Sequence, residues 1–148
     1  MSENERYILI IEDNPQDEEI AVRVLTKRNV ANRIVVARDG EEAVEFLFGG
    51  GKSDRAPAAV LPQVVLLDLK LPKVDGMEIL RLIRTTERTK RMPVVIVTSS
   101  DEDRDIAESY ELGVNSYVRK PVNFDAFSEA VAQIGLYWYV LNTPPKTV

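Results

Sequence analysis

The stretch VVLLDLKLP, residues 64–72, decides the fold, because an uninterrupted apolar run ends there in a single carboxylate, Asp68. A short apolar run of this kind is typical of a strand buried on both faces of a parallel sheet. An unpaired charge inside such a run is costly to bury. We therefore expect Asp68 to lie where the strand ends, at the edge where open α/β sheets bind ligands.

Three other apolar runs are followed by polar side chains in the same way. These side chains are Glu12 and Asp13 after residues 7–11, Thr98 after residues 94–97, and Lys120, which follows residues 117–118 by way of Arg119. If the runs are parallel strands, the polar groups converge with Asp68 on one edge of the sheet. Each has an ordinary alternative taken alone, such as a helix cap for the acids or a surface charge for Lys120. Their common position at strand ends favours one shared site.

Between these runs, apolar residues recur at three- and four-residue spacing, which indicates amphipathic helices. The predicted strands are Tyr7–Ile11, Ile34–Ala37, Val64–Asp68, Val94–Thr98 and Asn115–Val118. Five strand–helix alternations predict a parallel sheet with helices on both faces and right-handed crossovers. We expect one domain over residues 1–148, with a core at about 7–136 and an aromatic C-terminal extension at about 137–148.

The composition excludes several kinds of chemistry. The 148 residues include no Cys and no His, and the formal net charge is −5. Disulfides, thiolate nucleophiles, histidine metal sites and autophosphorylation on histidine are therefore excluded. The negative charge argues against a nucleic-acid partner. No apolar stretch approaches the roughly 20 residues of a membrane helix, and no signal-peptide core is visible, so we expect a cytoplasmic protein without a membrane partner.

The sequence GGGKS at residues 49–53 could be taken for a phosphate-binding loop. The Walker pattern needs a glycine five positions before Gly51, where this chain has Phe46, and it needs a preceding strand. A helical pattern precedes the loop instead. We interpret residues 49–61 as a flexible insertion.

The clustered groups suit phosphoryl transfer. Carboxylates at a strand edge suit Mg²⁺, which prefers hard oxygen ligands. An Asp beside such a cation can act as a nucleophile, because aspartyl phosphate is an established covalent intermediate. Lys120 and the Thr98 hydroxyl could then hold oxygens of the transferred group.

Taken together, the residues resemble the receiver domain of two-component response regulators over about residues 7–136. The motifs that carry the resemblance are IIEDN at 10–14, LLDLKLP at 66–72 followed by Asp75-Gly76, VTS at 97–99 and YVRKP at 117–121. The resemblance implies a flavodoxin-like (βα)5 doubly wound parallel sheet with strand order 2-1-3-4-5. One departure is Glu12, where many members have Asp.

The resemblance also implies roles for individual residues. These are phosphoacceptor for Asp68, metal binding for Glu12, Asp13, Asp68 and the backbone carbonyl of Lys70, switching for Thr98 and Tyr117, charge neutralisation for Lys120, and structural support for Gly76 and Pro121. The implied cofactor is Mg²⁺ or another divalent cation. The Lys120–Pro121 peptide bond is expected to be cis, a form that is accessible only before proline.

A partner histidine kinase is the implied phosphoryl donor, because this chain has no histidine of its own. The insertion and the aromatic tail resemble the stand-alone regulators that partner phytochrome-type histidine kinases. We expect no DNA-binding output domain, and we expect phosphorylation to change affinity for a downstream protein target.

In the aromatic tail, helical spacing places Trp138 and Leu141 in the core and leaves Tyr137, Tyr139 and Val140 partly exposed. Aromatic residues are enriched in interfaces. Whether this tail forms a homodimer or packs on the body stays open.

Two other functions, a phosphatase and a docking module without catalysis, fit the sequence less well. A phosphatase of the haloacid-dehalogenase type also uses a strand-end Asp and Mg²⁺, but it has a second Asp two residues later, where this chain has Lys70. A degenerate receiver that only docks proteins would lack a catalytic group, and none is lost. We therefore expect a signalling module and not an enzyme acting on small substrates.

Overall fold

A five-stranded parallel sheet with strand order 2-1-3-4-5 forms the centre of the structure, a computed structural model that describes residues 6–31, 33–51 and 54–145. The strands are β1 (Ile8–Ile11), β2 (Ile34–Ala37), β3 (Val64–Leu67), β4 (Val94–Thr98) and β5 (Ser116–Arg119). The expected flavodoxin-like arrangement is confirmed. The bounds of β1, β3 and β5 differ from the predictions by one residue at one or both ends. Asp68 lies just beyond the end of β3.

The helices cover both faces of this sheet. They are α1 (Pro15–Lys27), α2 (Gly40–Phe48), α3 (Gly76–Thr85), α4 (Asp103–Glu111) and α5 (Phe124–Gly135), followed by a terminal π-helix (Leu136–Leu141). The apolar residues of α2 and α3 pack on one face, and those of α1, α5 and the π-helix pack on the other. None of the described helices has both the length and the apolar character of a membrane span.

The turn from each strand into its helix brings a polar residue to the carboxyl edge of the sheet. Asn14 caps α1, where its side chain accepts hydrogen bonds from the backbone N–H groups of Gln16 and Asp17. Asn123 caps α5 through the N–H of Ala126. Such caps satisfy N–H groups that have no partner within the helix. The caps therefore fix the loops that follow β1 and β5 to the starts of α1 and α5.

The described part of the insertion pairs with itself and contacts helix α2. Gly50 and Arg55 pair through a short antiparallel bridge, and the N–H of Ala58 donates to the carbonyl of Phe46 at 2.9 Å. The Arg55 guanidinium lies 5.2 Å from the centre of the Phe46 ring. The segment follows helix α2 and not a strand, as predicted. Lys52 and Ser53 of the GGGKS motif lie outside the described residues.

The prediction for the aromatic tail was wrong at two positions. Leu141 is 63% exposed, whereas Tyr139 is buried at 8%. Trp138 is partly buried, and Tyr137 and Val140 are exposed as expected. The residues form a π-helix, whose i→i+5 hydrogen bonds widen the turn. The wider turn rotates each side chain away from the position that α-helical spacing assigns.

Candidate functional site

Asp68 lies directly after β3 and is buried, with only 6% of the residue exposed. Its Oδ1 accepts hydrogen bonds from the Thr98 hydroxyl at 2.8 Å and from the Lys70 backbone N–H at 3.1 Å. Its Oδ2 accepts from the Lys120 ammonium at 2.8 Å. The three donors come from β4, from the loop after β3 and from the loop after β5. The structure therefore brings together residues that lie 30 and 52 positions apart in the chain.

The Lys120 ammonium contacts three carboxylates at once. Its ammonium lies 2.6 Å from Glu12 and 2.9 Å from Asp17, in addition to its contact with Asp68. Burial alone would lower the pKa of Lys120, but its hydrogen bonds to the three carboxylates raise that pKa above its ordinary value. Lys120 is thus a permanent positive charge at the bottom of the site.

The peptide bond between Lys120 and Pro121 is trans, so the predicted cis bond was wrong. An X–Pro bond favours trans by about 0.5–1 kcal/mol unless its surroundings select the other form. Here the backbone N–H of Lys120 donates to the Thr98 carbonyl at 2.7 Å, and the ammonium reaches Asp68 with the bond in trans. The position of the cation does not require the cis form.

Three carboxylates at this edge have the arrangement of a divalent-cation site. Glu12, Asp13 and Asp68 each offer one oxygen, and these oxygens lie within 4.8 Å of one another. Glu12 is buried and Asp13 is exposed, so the cluster opens to solvent on one side. Burial raises the pKa of Glu12, and the charge of Asp68 adds to this effect, while the hydrogen bond from Lys120 opposes it. Crowded hard oxygen ligands of this kind fit Mg²⁺ or a similar cation.

An open groove gives access to the cluster. It is lined by Asp13, Asn14, Pro15, Asp17, Asp68, Lys70, Ser99 and Lys120. Lys70 borders the groove, and its ammonium lies 3.7 Å from Asp105.

The two predicted switch residues occupy different positions. Thr98 is fully buried and contacts Asp68 directly. Tyr117 contacts the loop after Thr98, where its hydroxyl donates to the Ser100 carbonyl at 2.9 Å. Burial raises the pKa of the Tyr117 hydroxyl, so it stays protonated at neutral pH and can donate. Tyr117 is thus bonded to the loop after Thr98 and does not contact Asp68.

Gly76 allows α3 to begin against the site. A Cβ atom at Gly76 would lie 2.3 Å from the Asp68 carbonyl oxygen, which is too close for any side chain. The Gly76 N–H donates to the Leu69 carbonyl at 3.0 Å. Glycine at this position lets the backbone after Asp68 fold back tightly.

Sequence reasoning did not include Asp17 among the candidate site residues. Its carboxylate lies 2.9 Å from Lys120 and lines the groove. The available signal was its place in the first turn of α1, since the helix that follows β1 begins over the carboxyl edge of the sheet. Asp105 was also missed, because its contacts depend on how α4 packs.

Comparisons with known proteins agree with this geometry. A family model described as the response regulator receiver domain matches residues 8–132. The chain is 39% identical to a probable methanogenesis regulatory protein, FilR2, of Methanothrix harundinacea, over 97% of this chain and 90% of the relative. It is 36% identical to the response regulator Rcp1 of Synechocystis sp., over 95% of this chain and 93% of the relative.

Solved structures give the same result. The crystal structure of the Mn²⁺-bound form of Rcp1 matches with a TM-score of 0.86 at 35% identity, covering 95% of this chain and 99% of the other. The structure of the phosphorylated cyanobacterial phytochrome response regulator RcpA matches with the same TM-score, identity and coverage.

Proposed function

Because this chain belongs to the response regulator receiver domain family of two-component signalling, we propose that Asp68 is the residue that accepts the phosphoryl group. The observation that carries the proposal is the Asp68 carboxylate itself, buried yet open to a groove and held by Thr98, Lys70 and Lys120. A carboxylate positioned in this way can attack phosphorus in line, since catalysis of phosphoryl transfer is mainly positioning and charge stabilisation.

Glu12, Asp13 and Asp68, with the Lys70 backbone carbonyl, would hold the divalent cation of this site. A bound cation neutralises negative charge on the phosphoryl oxygens, so that the incoming group is not repelled by the acids around it. The Mn²⁺-bound structure of Rcp1 supports the assignment, because that relative covers almost the whole chain. Mg²⁺ is the cation that we expect here.

The transfer forms one bond and breaks another. A bond forms between an Asp68 carboxylate oxygen and phosphorus, while the bond from phosphorus to the donor nitrogen breaks and that nitrogen keeps the electron pair. Lys120 then pairs with one oxygen of the phosphoryl group. The Thr98 hydroxyl turns away from Asp68 Oδ1 and donates to a second oxygen of that group. The loop after Thr98 follows, and Tyr117 changes its contact with Ser100.

The donor in this proposal is a partner histidine kinase, because this chain has no histidine. A phytochrome-type kinase is the specific candidate, since RcpA is described as a phytochrome response regulator. The output is a change in affinity for a downstream protein in the cytoplasm, without contact to nucleic acid or membrane. The receiver core at about residues 7–136 carries this function, and the chain is not an enzyme for small substrates.

We include a homodimer in the proposal as the role of the C-terminal extension. The terminal π-helix exposes four large apolar side chains, namely Leu136, Tyr137, Val140 and Leu141. A second copy is an occupant suited to apolar and aromatic side chains of this kind. Sedimentation at increasing concentration, with and without beryllofluoride, tests this part. A chain that stays monomeric under both conditions contradicts it.

The central experiment is incubation with Mg²⁺ and acetyl phosphate, followed by measurement of the intact mass. We expect a phosphoryl adduct that needs Mg²⁺ and is absent from Asp68→Asn. Asp75→Asn is the matched control, because Asp75 is an exposed acid that makes no side-chain cap hydrogen bond at the start of α3. This control should form the adduct normally. A folded wild type that forms no adduct and does not bind beryllofluoride favours a docking module, whereas rapid turnover of small phosphate esters favours an enzyme.

A further inference from the structure

Lys70 lies between two sources of negative charge. Its backbone N–H is bonded to Asp68, and its ammonium lies 3.7 Å from Asp105 of α4. The side chain is 60% exposed, so it can change position at little cost. It lines the groove over Asp68 and Lys120, and it also lines the adjacent groove between α3 and α4 that contains Asp105. One flexible cation therefore borders both sites.

Asp105 connects this cation to the switch loop. Its side chain is 14% exposed, and its Oδ2 accepts a hydrogen bond from the Ser100 hydroxyl at 2.6 Å. The Ser100 carbonyl accepts the hydrogen bond from Tyr117. A short stretch of backbone joins Thr98 to Asp105, and Tyr117 donates a hydrogen bond to Ser100 within it. A movement of Asp105 therefore changes the surroundings of both predicted switch residues. A single carboxylate thus holds the Lys70 ammonium and the loop that the switch residues contact.

Helix α4 has few other attachments to the site. Ser109 is its one buried residue, and its hydroxyl lies 3.9 Å from the sulfur of Met77 in α3. Besides the pair from Asp105 to the loop after β3, a second ion pair joins Glu108 to Arg81 of α3 at 2.9 Å. That second pair is exposed and does not involve Ser100. Asp105 lies in the first turn of α4, where the helix dipole stabilises a carboxylate that has lost its cation. Release of Lys70 is therefore inexpensive.

We propose that Asp105 is a positioning residue that holds the Lys70 ammonium away from Asp68 until Asp68 is phosphorylated. This inference rests on the proposed role of Asp68 as phosphoacceptor. A phosphoryl group carries about −1.5 to −2 charges and three strong acceptor oxygens, so it attracts Lys70 more strongly than one carboxylate does. When Lys70 moves to it, α4 loses its ion pair to the loop after β3, and the Ser100–Asp105 contact is free to rearrange.

The test uses beryllofluoride with saturating Mg²⁺ as the phosphoryl mimic, and its dissociation constant is measured by isothermal titration. Asp105→Asn removes the competing charge and keeps the shape of the side chain. It should tighten binding about two- to fivefold, the range that an exposed ion pair contributes. Lys70→Ala should weaken binding by a similar factor, and Lys70→Arg should retain it. In the Lys70→Ala background, Asp105→Asn should have no effect.

Glu108→Gln is the matched control, because it removes the same charge from the same helix without touching Lys70 or Ser100. It should leave the dissociation constant unchanged. Side-chain ammonium NMR gives a second readout that a purely structural role would not move. The Lys70 signal should shift when beryllofluoride binds to the wild type, and in Asp105→Asn it should already be shifted before addition.

Three results would overturn the inference. The first is a gain in beryllofluoride affinity from Asp105→Asn that persists in the Lys70→Ala background. The second is an equal gain in affinity from Glu108→Gln. The third is a Lys70→Ala variant that binds beryllofluoride as tightly as the wild type. The proposed function fails separately: a folded wild type that does not bind beryllofluoride contradicts both proposals, whereas wild-type binding with no response to Asp105 or Lys70 contradicts this one alone.

Discussion

The two ends of the parallel strands in this molecule are built in opposite ways. At the carboxyl edge, the ammonium of Lys120 contacts the carboxylates of Glu12, Asp17 and Asp68, and Asp13 lies beside Glu12 and Asp68, so negative charge is in excess. At the amino edge, Arg84 lies among neutral acceptors. Its guanidinium donates to the carbonyls of Lys90, Met92 and Gly113 and to the side chain of Asn115.

We expect the two edges of the sheet to have different roles, with the amino edge stabilising the fold and the carboxyl edge binding ligands. Arg84 joins the segments that lead into β4 and β5, and Asn115 Oδ1 also accepts from the N–H of Val94 at 2.8 Å. Burial lowers the pKa of Arg84, but an arginine remains charged at any working pH, so its bonds persist. The carboxyl edge instead keeps like charges close together, which favours the binding of a cation. The amino edge is expected to stabilise the fold that holds the other edge in place.

Tyr139→Ala gives the largest expected loss on the amino side. The tyrosine is buried, and its hydroxyl and backbone carbonyl bond to Arg6, just before β1. We expect the free energy of unfolding to fall by about 3 kcal/mol, as for other large aromatic truncations. Leu141→Ala, at an exposed position, should change it by less than about 0.5 kcal/mol. Urea denaturation measures both. A larger loss in Leu141→Ala would mean that the tail follows α-helical spacing after all.

Arg84→Met should cost about 2 kcal/mol of unfolding free energy, because several carbonyl oxygens lose a charged donor. Arg81→Met is the control on the same helix, since the ion pairs of Arg81 with Glu78 and Glu108 are exposed. It should stay within about 0.5 kcal/mol of the wild type. Beryllofluoride affinity should be unchanged in folded Arg84→Met. A loss of that affinity would mean that the two edges are coupled and would break the comparison.

Mg²⁺ should stabilise the carboxyl edge by mass action. At ten times its dissociation constant, a ligand that binds only the folded state adds about 1.4 kcal/mol to the free energy of unfolding. Chelation should reverse the gain, and Asp13→Asn should reduce it, because one of the clustered oxygens loses its charge. Thermal denaturation with and without Mg²⁺ checks this. An equal gain in Asp13→Asn would place the cation elsewhere.

Asp68→Asn should lower the free energy of unfolding by less than about 1 kcal/mol in the absence of metal, because it removes one of several crowded negative charges. Lys120 keeps Glu12 and Asp17 as partners. The asparagine oxygen can still accept from Thr98. Chemical denaturation in a chelating buffer measures the change. A loss of about 2 kcal/mol or more would show that the carboxyl edge stabilises the fold as the amino edge does.

Much of the candidate site was predictable because it depends on strand ends. A residue directly after a buried strand must lie at the edge of the sheet, and this rule groups Glu12, Asp13, Asp68 and Thr98 from their positions in the chain. Asp17 and Asp105 could not be assigned in this way. Each lies in the first turn of a helix, and its partner depends on how that helix sits on the sheet.

The sequence by itself determined the alternation of strands and helices, the polar residue that follows each buried run, and the chemistry that a chain without histidine or cysteine can perform. These properties depend on local periodicity and on the cost of burying a charge. Only the tertiary structure decided that Lys120 contacts three carboxylates, that its bond to Pro121 is trans, and that Tyr139 is buried in place of Leu141. Those outcomes depend on distances between segments remote in the chain and on the pitch of one terminal helix, and neither is encoded in any single stretch of residues.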